Sequence, residues 1–296
     1  MLSCSVRGCG LALERCGRTL ACERGHSYDV ARSGYINLLQ PQDRRSLASG
    51  DSNVAVAARA RLLGAGIGGA IVNAFVDRAV RALVGDQVIV VDLGCGTGDV
   101  LGELARRRPV SAIGLDLSTA AVDGAARRFT GLTWVVANAD RRLPVLDHSV
   151  DLIVSFNGRR NPGECARVLT RGGALLTAIP AADDLVELRE QVMGGRLLRA
   201  RAEGLIDEHK DAFTVAEQVT FRERHALTAD QLRDVLHATY RGARASTAPR
   251  IEQLSELEVT FASDVVLFRP RSSQGRRHAT RQARGSRVPH RRSGRA

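Results

Sequence analysis

The sequence has no long apolar run and almost no lysine. No stretch approaches the roughly 20 apolar residues that a helix needs to cross a bilayer, so the sequence predicts no membrane partner. Its first residues also lack the basic start and apolar stretch of a secretory signal peptide. We therefore expect a cytoplasmic protein, in which thiols stay reduced and disulfide bonds are not expected.

Lys210 is the one lysine among 43 basic residues, and a GC-rich genome explains this bias toward arginine. Ten arginines and no acid lie between Arg269 and Ala296. Almost all of the net charge of +11 is therefore in this segment, and the rest of the chain is close to neutral. Residues 271–296 have no apolar periodicity and are predicted to form a disordered Arg-rich tail. The tail is either a non-specific grip on polyanion phosphates or a functionless extension.

Four of the six cysteines lie in the first 22 residues, close to a histidine. Structural zinc sites use four Cys and His ligands in closely spaced pairs. Cys22 and His26 form a C-x3-H pair, and Cys9 precedes Cys22 by thirteen positions. The fourth ligand is either Cys4, which forms C-x4-C with Cys9 and flanks the same knuckle, or Cys16. Scattered core cysteines are the alternative, but a module with few large apolar side chains needs a staple in order to fold.

An alternating pattern of strands and helices fills the middle of the chain. Residues 51–84 show the apolar spacing of two helices punctuated by glycine. The strands that follow are "QVIVVDLGCG", "SAIGLDLS", "TWVVANAD", "VDLIVSFN" and "GALLTAIP". Because helices separate most of these strands, the pattern predicts βαβ crossovers and a parallel sheet covered on both faces. A long helical stretch to about residue 213 and a strand–helix–strand unit complete a body that ends near residue 270.

The first of these strands ends in a glycine-rich turn, "VVDLGCGTGDV". Asp92 precedes Gly94, Gly96 and Gly98, which open the next helix. Glycine lets the backbone approach a ligand closely and adopt positive φ. Asp116 ends the second strand, where an acid can bind both hydroxyls of a ribose. A dinucleotide site and an ordinary tight turn are the alternatives.

This combination of turn and acids resembles the class I S-adenosylmethionine-dependent methyltransferases. The resemblance implies an α/β, Rossmann-like fold with a mainly parallel seven-stranded sheet whose last strand is antiparallel. It also implies that the glycine loop holds the methionine part of the cofactor, the second-strand acid the ribose, and the loop after the third strand the adenine. The cofactor residues that it implies are Asp92, Gly94, Cys95, Gly96, Thr97, Gly98, Asp116 and Leu117, with Asn138 and Asp140 as two candidates at the adenine.

A second resemblance joins the cysteine cluster to this domain. The order of cysteine cluster, "HSYDVARSGYINLL", "GDSNVAVAARARLL" and glycine turn resembles the bacterial large-subunit (23S) rRNA guanine-N1 methyltransferases, which include a macrolide-resistance branch. The matching residues are His26, Tyr28, Asp29, Ala31, Arg32, Gly34, Tyr35, Asn37, Leu38 and Leu39, then Gly50, Asp51, Ala58 and Arg59. The family implies a Cys/Cys/Cys/His Zn²⁺ module that contacts an rRNA hairpin. Cys4, Cys9, Cys22 and His26 are the ligands that we predict for it, and a homodimer is left open.

The expected reaction is S-adenosylmethionine-dependent methylation of N1 of a guanine in a hairpin loop of 23S rRNA. Asn157 and Arg160 are the candidate catalytic residues on the acceptor side, and Phe156 or Tyr240 is the candidate stacking platform for the base. A small-molecule methyltransferase and a catalytically impaired relative that binds the cofactor and RNA are the alternatives. The predicted domains are a zinc-binding RNA-recognition module at 1–40, a helical linker at 41–84, the methyltransferase domain at 85–270 and the tail at 271–296.

Overall fold

The computed structural model describes residues 1–43, 52–193, 198, 200–239 and 255–271. The strands are β1 (Glu14–Cys16), β2 (Thr19–Ala21), β3 (Ser27–Asp29), β4 (Ile36–Asn37), β5 (Ile89–Leu93), β6 (Ser111–Asp116), β7 (Thr133–Val136), β8 (Val150–Phe156), β9 (Leu169–Pro180), β10 (Phe213–Thr228) and β11 (Glu256–Pro270). The helices are α1 (Asn53–Gly64), α2 (Gly69–Ala82), α3 (Asp99–Arg107), α4 (Thr119–Arg128), α5 (Pro162–Val168), α6 (Val186–Met193), α7 (Ala202–His209) and α8 (Ala229–Ala238), with a 3-10 turn at Pro41–Asp43.

One mixed sheet of eight strands forms the centre of the fold, in the order β10-β11-β9-β8-β5-β6-β7-β4. The strands from β9 to β4 pair in parallel, whereas β11 is antiparallel to both β9 and β10. This confirms the predicted mainly parallel sheet with an antiparallel last strand. Successive residues of β5 enter opposite cores, Val90 on one face and Val91 on the other, as expected for a strand buried on both faces.

The eighth strand, β4, comes from the segment that follows the cysteine cluster. Ile36 and Asn37 pair in parallel with Val135 and Val136 at the edge of the sheet, and Leu38 N donates to Val136 O at 3.0 Å. The region predicted as a separate module at 1–40 thus contributes a strand to the larger sheet. A two-residue strand has no readable periodicity, and its pairing partner lies almost a hundred residues away, so the sequence does not signal it.

The two helices predicted between residues 51 and 84 are present as α1 and α2. Ser52 caps α1 by accepting a hydrogen bond from Ala55 N at 3.2 Å, and the turn between the helices uses the positive φ of Gly66 and Gly68. Phe75 of α2 is fully buried. Helix α2, which lies in the segment predicted as a linker, is therefore part of the core. The helical stretch predicted after β9 is described as two short helices, α6 and α7.

Several predictions concern residues outside the described part of the chain. They are Gly50 and Asp51 of the second family run, Tyr240 as a stacking platform, and the tail from residue 272 onward. Within the described residues no single helix is long and apolar enough to cross a membrane; only α1 and α2 together, bent by 88°, reach that length and composition.

Candidate cofactor and metal sites

The glycine loop, residues 94–98, lies at the carboxyl edge of the parallel strands, where ligands bind in open α/β sheets. Gly94 has a φ of 78°, and a Cβ there would lie 2.7 Å from Gly158 Cα. Gly98 has a φ of 80°, and its Cβ would overlap the Trp134 ring. A Cβ at Gly96 would meet nothing within 4 Å. Two glycines therefore close the loop against the protein, and the third leaves its backbone open to a ligand.

Asp116 fastens this loop to the end of β6. Its Oδ2 accepts a hydrogen bond from Gly96 N at 2.9 Å, and its Oδ1 accepts one from Ser118 N at 2.8 Å. Gly94 N and Cys95 N both donate to the neighbouring Leu115 O. The predicted ribose-binding acid is thus adjacent to the predicted methionine-binding loop, although 20 positions separate Asp116 from Gly96. Leu117, the next predicted residue, is half-buried beside it.

Asp92 is the buried charge of this site. Its side chain is 1% exposed, and its Oδ1 has no hydrogen-bond partner among the described residues. Burial raises the pKa of Asp92 to about 8, and the negative charges of Asp116 and Asp99 add to that effect. An unpartnered buried carboxyl group is stabilised in its ionised form by a nearby cation. The loop therefore suits a ligand with positive charge, which S-adenosylmethionine carries on its amino and sulfonium groups.

The two candidates at the adenine lie together in the loop after β7. Asn138 is buried, and its Oδ1 accepts from Asp140 N at 3.0 Å. Asp140 Oδ2 pairs with Arg159 Nη1 at 3.0 Å, and Asn161 Nδ2 lies 3.5 Å from Asp140 O. Asn138 is therefore the inner residue, and Asp140 connects this loop to residues 157–161, the acceptor loop. Thr97, from the glycine loop, donates to Asp99 Oδ2 at 2.5 Å.

The acceptor loop begins with a strained residue. Asn157 has a φ of 58°, is exposed, and is held by a 2.9 Å hydrogen bond from its N to Ala178 O. Gly158 has no room for a side chain, since a Cβ would overlap Leu93 O. The loop is therefore packed directly onto the end of β5, next to the glycine loop, and Asn157 is presented at its outer end.

The structure gives Arg160 and Phe156 more internal positions than the sequence suggests. Arg160 Nη1 donates to Gly158 O at 2.7 Å, and its Nε is buried without a partner among the described residues. Burial lowers the pKa of Arg160, while Glu208 acts in the opposite direction. Phe156 packs edge-on against Phe75 with ring centroids 5.2 Å apart. Arg160 thus braces the acceptor loop from within, and the Phe156 ring is a contact of α2.

The side chains of Cys4, Cys9, Cys22 and His26 form one group, the Cys/His cluster, whose four ligand atoms all lie within 4.8 Å of one another. Cys9 Sγ is 3.8 Å from Cys22 Sγ, and His26 Nδ1 is 3.4 Å from both Cys4 Sγ and Cys22 Sγ. Tetrahedral zinc with its usual bond lengths separates such ligands by about 3.5–3.8 Å. Cys16 is exposed in the β1–β2 hairpin. The donor set and its spacing therefore fit Zn²⁺.

Two tight turns form the cluster. In the first, Cys9 N donates to Val6 O at 2.9 Å; in the second, Gly25 N donates to Cys22 O at 2.8 Å. Gly25 has a φ of 81°, which a residue with a side chain rarely adopts. The first knuckle contributes Cys4 and Cys9 to the cluster, and the second contributes Cys22 and His26.

Tyr28 is a neighbour of the cluster that the sequence interpretation missed. Its hydroxyl lies 3.1 Å from Cys4 Sγ and accepts from Ser5 Oγ at 3.3 Å, and Gln40 Nε2 donates to Ser5 Oγ at 3.0 Å. Groups that hydrogen-bond a metal ligand hold it in position. The H-x-Y spacing of His26 and Tyr28 was the available signal. Gln40 follows β4, so this chain of contacts also ties the cluster to the carboxyl edge of the sheet.

Comparisons with known proteins agree with both sites. Residues 3–47 match the family described as "RlmA, N-terminal", and residues 90–173 match "Methyltransferase domain". The chain is 33% identical over 269 residues to the 23S rRNA (guanine(748)-N(1))-methyltransferase of Streptomyces fradiae, covering 88% of this chain and 95% of that protein.

Two further relatives carry similar names. A putative 23S rRNA (guanine-N(1)-)-methyltransferase of Micromonospora griseorubida is 33% identical over 291 residues, 91% of this chain and 97% of the relative. A Bacillus subtilis protein with the same description is 31% identical over 181 residues, 59% of this chain and 62% of the relative. With the glycine loop, its acids and the Cys/His cluster in place, the chain belongs to the 23S rRNA guanine-N1 methyltransferase family.

Proposed function

We propose that this protein transfers the methyl group of S-adenosylmethionine to N1 of a guanine in a hairpin loop of 23S rRNA. The observation that supports this best is the shared position of two sites. The glycine loop with Asp92 and Asp116 and the Cys/His cluster both lie at the carboxyl edge of one sheet. A base held between them would be near the cofactor and near a metal-stapled module at once.

We assign the cofactor to the glycine loop and the strand ends around it. Asp92 would balance the positive charge of the methionine part, with Gly96 giving the closest backbone approach. Asp116 would bind the ribose hydroxyls, and Asn138 and Asp140 would lie beside the adenine. Cys95 and Thr97 contribute the backbone of the loop, and Leu117 an apolar wall. The cofactor supplies an electrophilic methyl group on sulfur.

We assign Zn²⁺ to Cys4, Cys9, Cys22 and His26, with a structural role. A closed set of four protein ligands leaves no position for a substrate, as in structural zinc sites. Tyr28 would hold the Cys4 thiolate, since its hydroxyl lies 3.1 Å from that sulfur. Metal binding would then fix the two knuckles that face the RNA.

On the acceptor side, this chain's task is to orient the guanine and remove water. Asn157 is exposed at a positive φ directly after β8, next to the glycine loop, where its amide can bind the edge of a base. Arg160 would act indirectly, because its guanidinium bonds to Gly158 O and holds the loop in place. In-line positioning of reacting atoms is a large source of rate enhancement. A hairpin target, a homodimer and a cytoplasmic location stay predictions.

Primer extension on methylated RNA tests the proposal. The purified protein is incubated with tritiated S-adenosylmethionine and a 23S rRNA transcript that contains the guanine 748 named for the Streptomyces fradiae relative. Because a methyl group on guanine N1 blocks Watson–Crick pairing, we expect label in the RNA and a new reverse-transcriptase stop at one guanine. Asp116→Ala should reduce both signals by raising the KM for the cofactor, and Arg171→Ala, an exposed change at the start of β9, should not.

Three outcomes would contradict the proposed function. Label without a stop would mean that another atom is methylated. Cofactor binding without labelled RNA, whether naked or in ribosomal particles, would favour a small-molecule acceptor. Binding of both cofactor and RNA without any transfer would favour a catalytically impaired relative.

A further inference from the structure

Five exposed arginines lie between the Cys/His cluster and the acceptor loop; we call them the arginine strip. Its members are Arg7 and Arg24 in the two knuckles, Arg142 and Arg141 in the loop after β7, and Arg159 in the acceptor loop. The Arg159 side chain is 75% exposed. All five are positively charged, whereas the body of the chain without its Arg-rich tail is close to neutral.

Two arginine side chains of the strip contact the backbone of a neighbouring segment. Arg24 Nη1 donates to Gly8 O at 3.1 Å, joining the second knuckle to the first. The Arg142 guanidinium lies over Gly10, close enough that a Cβ there would be 3.1 Å from Nη2. The first knuckle is thereby joined to the loop after β7.

The far end of the strip reaches the acceptor loop through Asp140, which pairs with Arg159 at 3.0 Å. The acids at this end of the strip pair with other arginines, Asp140 with Arg159 and Asp147 with Arg167. Asp147 also interacts with the charge of Arg142, and within the described residues no close ion pair holds Arg7, Arg141 or Arg142 away from a phosphate.

Beneath the strip, backbone hydrogen bonds join the first residues of the chain to the segment after β7. Ser3 N donates to Pro144 O, and Leu146 N donates to Met1 O, both at 3.0 Å. Ser3 directly precedes Cys4, and Pro144 lies shortly after Arg142 in the chain. The backbones of the Cys/His cluster and of the loop after β7 therefore hold a fixed spacing, which sets the distance between the arginines that the two segments carry.

We propose that the arginine strip is the surface on which the ribose-phosphate backbone of the substrate RNA lies between the metal module and the cofactor site. Guanidinium groups bind phosphate bidentately, and a row of exposed arginines can contact successive phosphates of the backbone. This inference rests on the proposed function, because it names the partner surface of the same site.

The test is the salt dependence of RNA binding by full-length, zinc-loaded protein. Each lost phosphate contact lowers the slope of log affinity against log salt by about 0.7 to 0.9. The R7A/R142A double variant should therefore lower it by about 1.4 to 1.8 and weaken binding to the same 23S rRNA transcript by about tenfold or more at 0.1 M salt. Zinc content and cofactor affinity should equal those of the wild type.

A matched control has the same change in net charge at the opposite edge. Arg15 is exposed in the β1–β2 hairpin and lines a cavity with Thr133, the first residue of β7, and Arg171 is exposed at the start of β9. R15A/R171A should keep the wild-type slope. Equal slopes for both double variants, whether unchanged or equally reduced, would overturn the strip while wild-type methylation still supports the function. A wild type that does not methylate the transcript would overturn both.

Discussion

The carboxyl group of Asp92 decides how the cofactor site responds to pH. Its pKa is raised to about 8, first by burial and then by the charges of Asp116 and Asp99. In the ligand-free protein this group is therefore protonated below about pH 8. A cationic ligand reverses that preference, because the ionised form gains a partner. Cofactor binding near neutral pH should consequently release a proton from Asp92.

Asp92→Asn should remove a pH dependence of stability. The folded-state pKa of Asp92 lies above the ordinary value of 3.8, so the folded state binds the extra proton. The contribution of Asp92 to the free energy of unfolding is fully present below about pH 4 and is lost as the pH rises toward about 8. In ligand-free thermal melts, the Tm of Asp92→Asn relative to the wild type should therefore rise from pH 5 to pH 8. A Tm difference between variant and wild type that stays constant with pH would contradict this prediction. Separately, titration calorimetry should show that Asp92→Asn weakens cofactor affinity by about tenfold, or about 1.4 kcal/mol.

Two glycines of the same loop form a matched pair for mutation. At Gly94 an alanine Cβ would meet Gly158 Cα at 2.7 Å, in addition to the positive φ. At Gly96 the φ of 52° is the only obstacle, since nothing lies within 4 Å. Chemical denaturation should show a loss of about 1 kcal/mol for Gly96→Ala and at least twice that for Gly94→Ala. Similar losses for the two would mean that backbone strain, not contact with the acceptor loop, explains the glycine at 94.

At the scale of elements, the segment after β7 is held by a clamp on α5. Arg167 Nη2 donates to Leu143 O and Nη1 donates to Val145 O, both at 2.9 Å. Its Nε bonds to Glu164 Oε2 at 3.0 Å, and the same Oε2 accepts from Leu143 N at 2.9 Å. Asn161, the last residue of the acceptor loop, caps α5. The Arg167 side chain thus ties the segment after β7, which also hydrogen-bonds to Ser3 of the metal module, to the helix that follows the acceptor loop.

Arg167→Ala should uncouple these elements. It leaves Glu164 and two backbone carbonyls without their shared donor, which costs about 2 kcal/mol or more. In kinetics on the rRNA transcript we expect a higher KM for RNA with a smaller change in kcat, and partial rescue by Arg167→Lys. Arg106→Ala removes a pair whose arginine is 71% exposed, and it should change stability by less than about 0.5 kcal/mol. If Arg167→Ala and Arg106→Ala had equal effects on the Tm and on the KM for RNA, Arg167 would not act as a clamp.

The element scale also shows where sequence reasoning succeeds. The alternation of apolar strands and helices predicts the parallel sheet, because each βαβ unit is local in the chain and carries its own periodicity. Asp116 and the glycine loop could be paired in advance, since strand ends of a parallel sheet share an edge. The pairing of β4 with β7 could not be predicted, because a strand of two residues has no readable apolar pattern. The internal positions of Arg160 and Phe156 depend on α7 and α2, which pack onto the loop from distant parts of the chain.

At the scale of the molecule, the metal module and the methyltransferase sheet share one core. Leu2, Leu20 and Leu38 of the module are buried in the same cluster as Leu115 and Val135 of the sheet. The module therefore covers one face of the sheet and, through β4, extends its edge. Its folding should depend on the metal, because small Cys/His modules take much of their stability from zinc.

Cys22→Ser should consequently destabilise the whole chain rather than the module alone. We expect zinc to fall from about one ion per chain to almost none by metal analysis. In calorimetry a single transition should shift down by about 10 °C or more, since the exposed sheet face loses its cover. Cys16→Ser is the control: that thiol is exposed and outside the cluster, so zinc content and Tm should be unchanged. Two separate transitions for Cys22→Ser, the larger one at the wild-type temperature, would show that the sheet folds independently of its metal module.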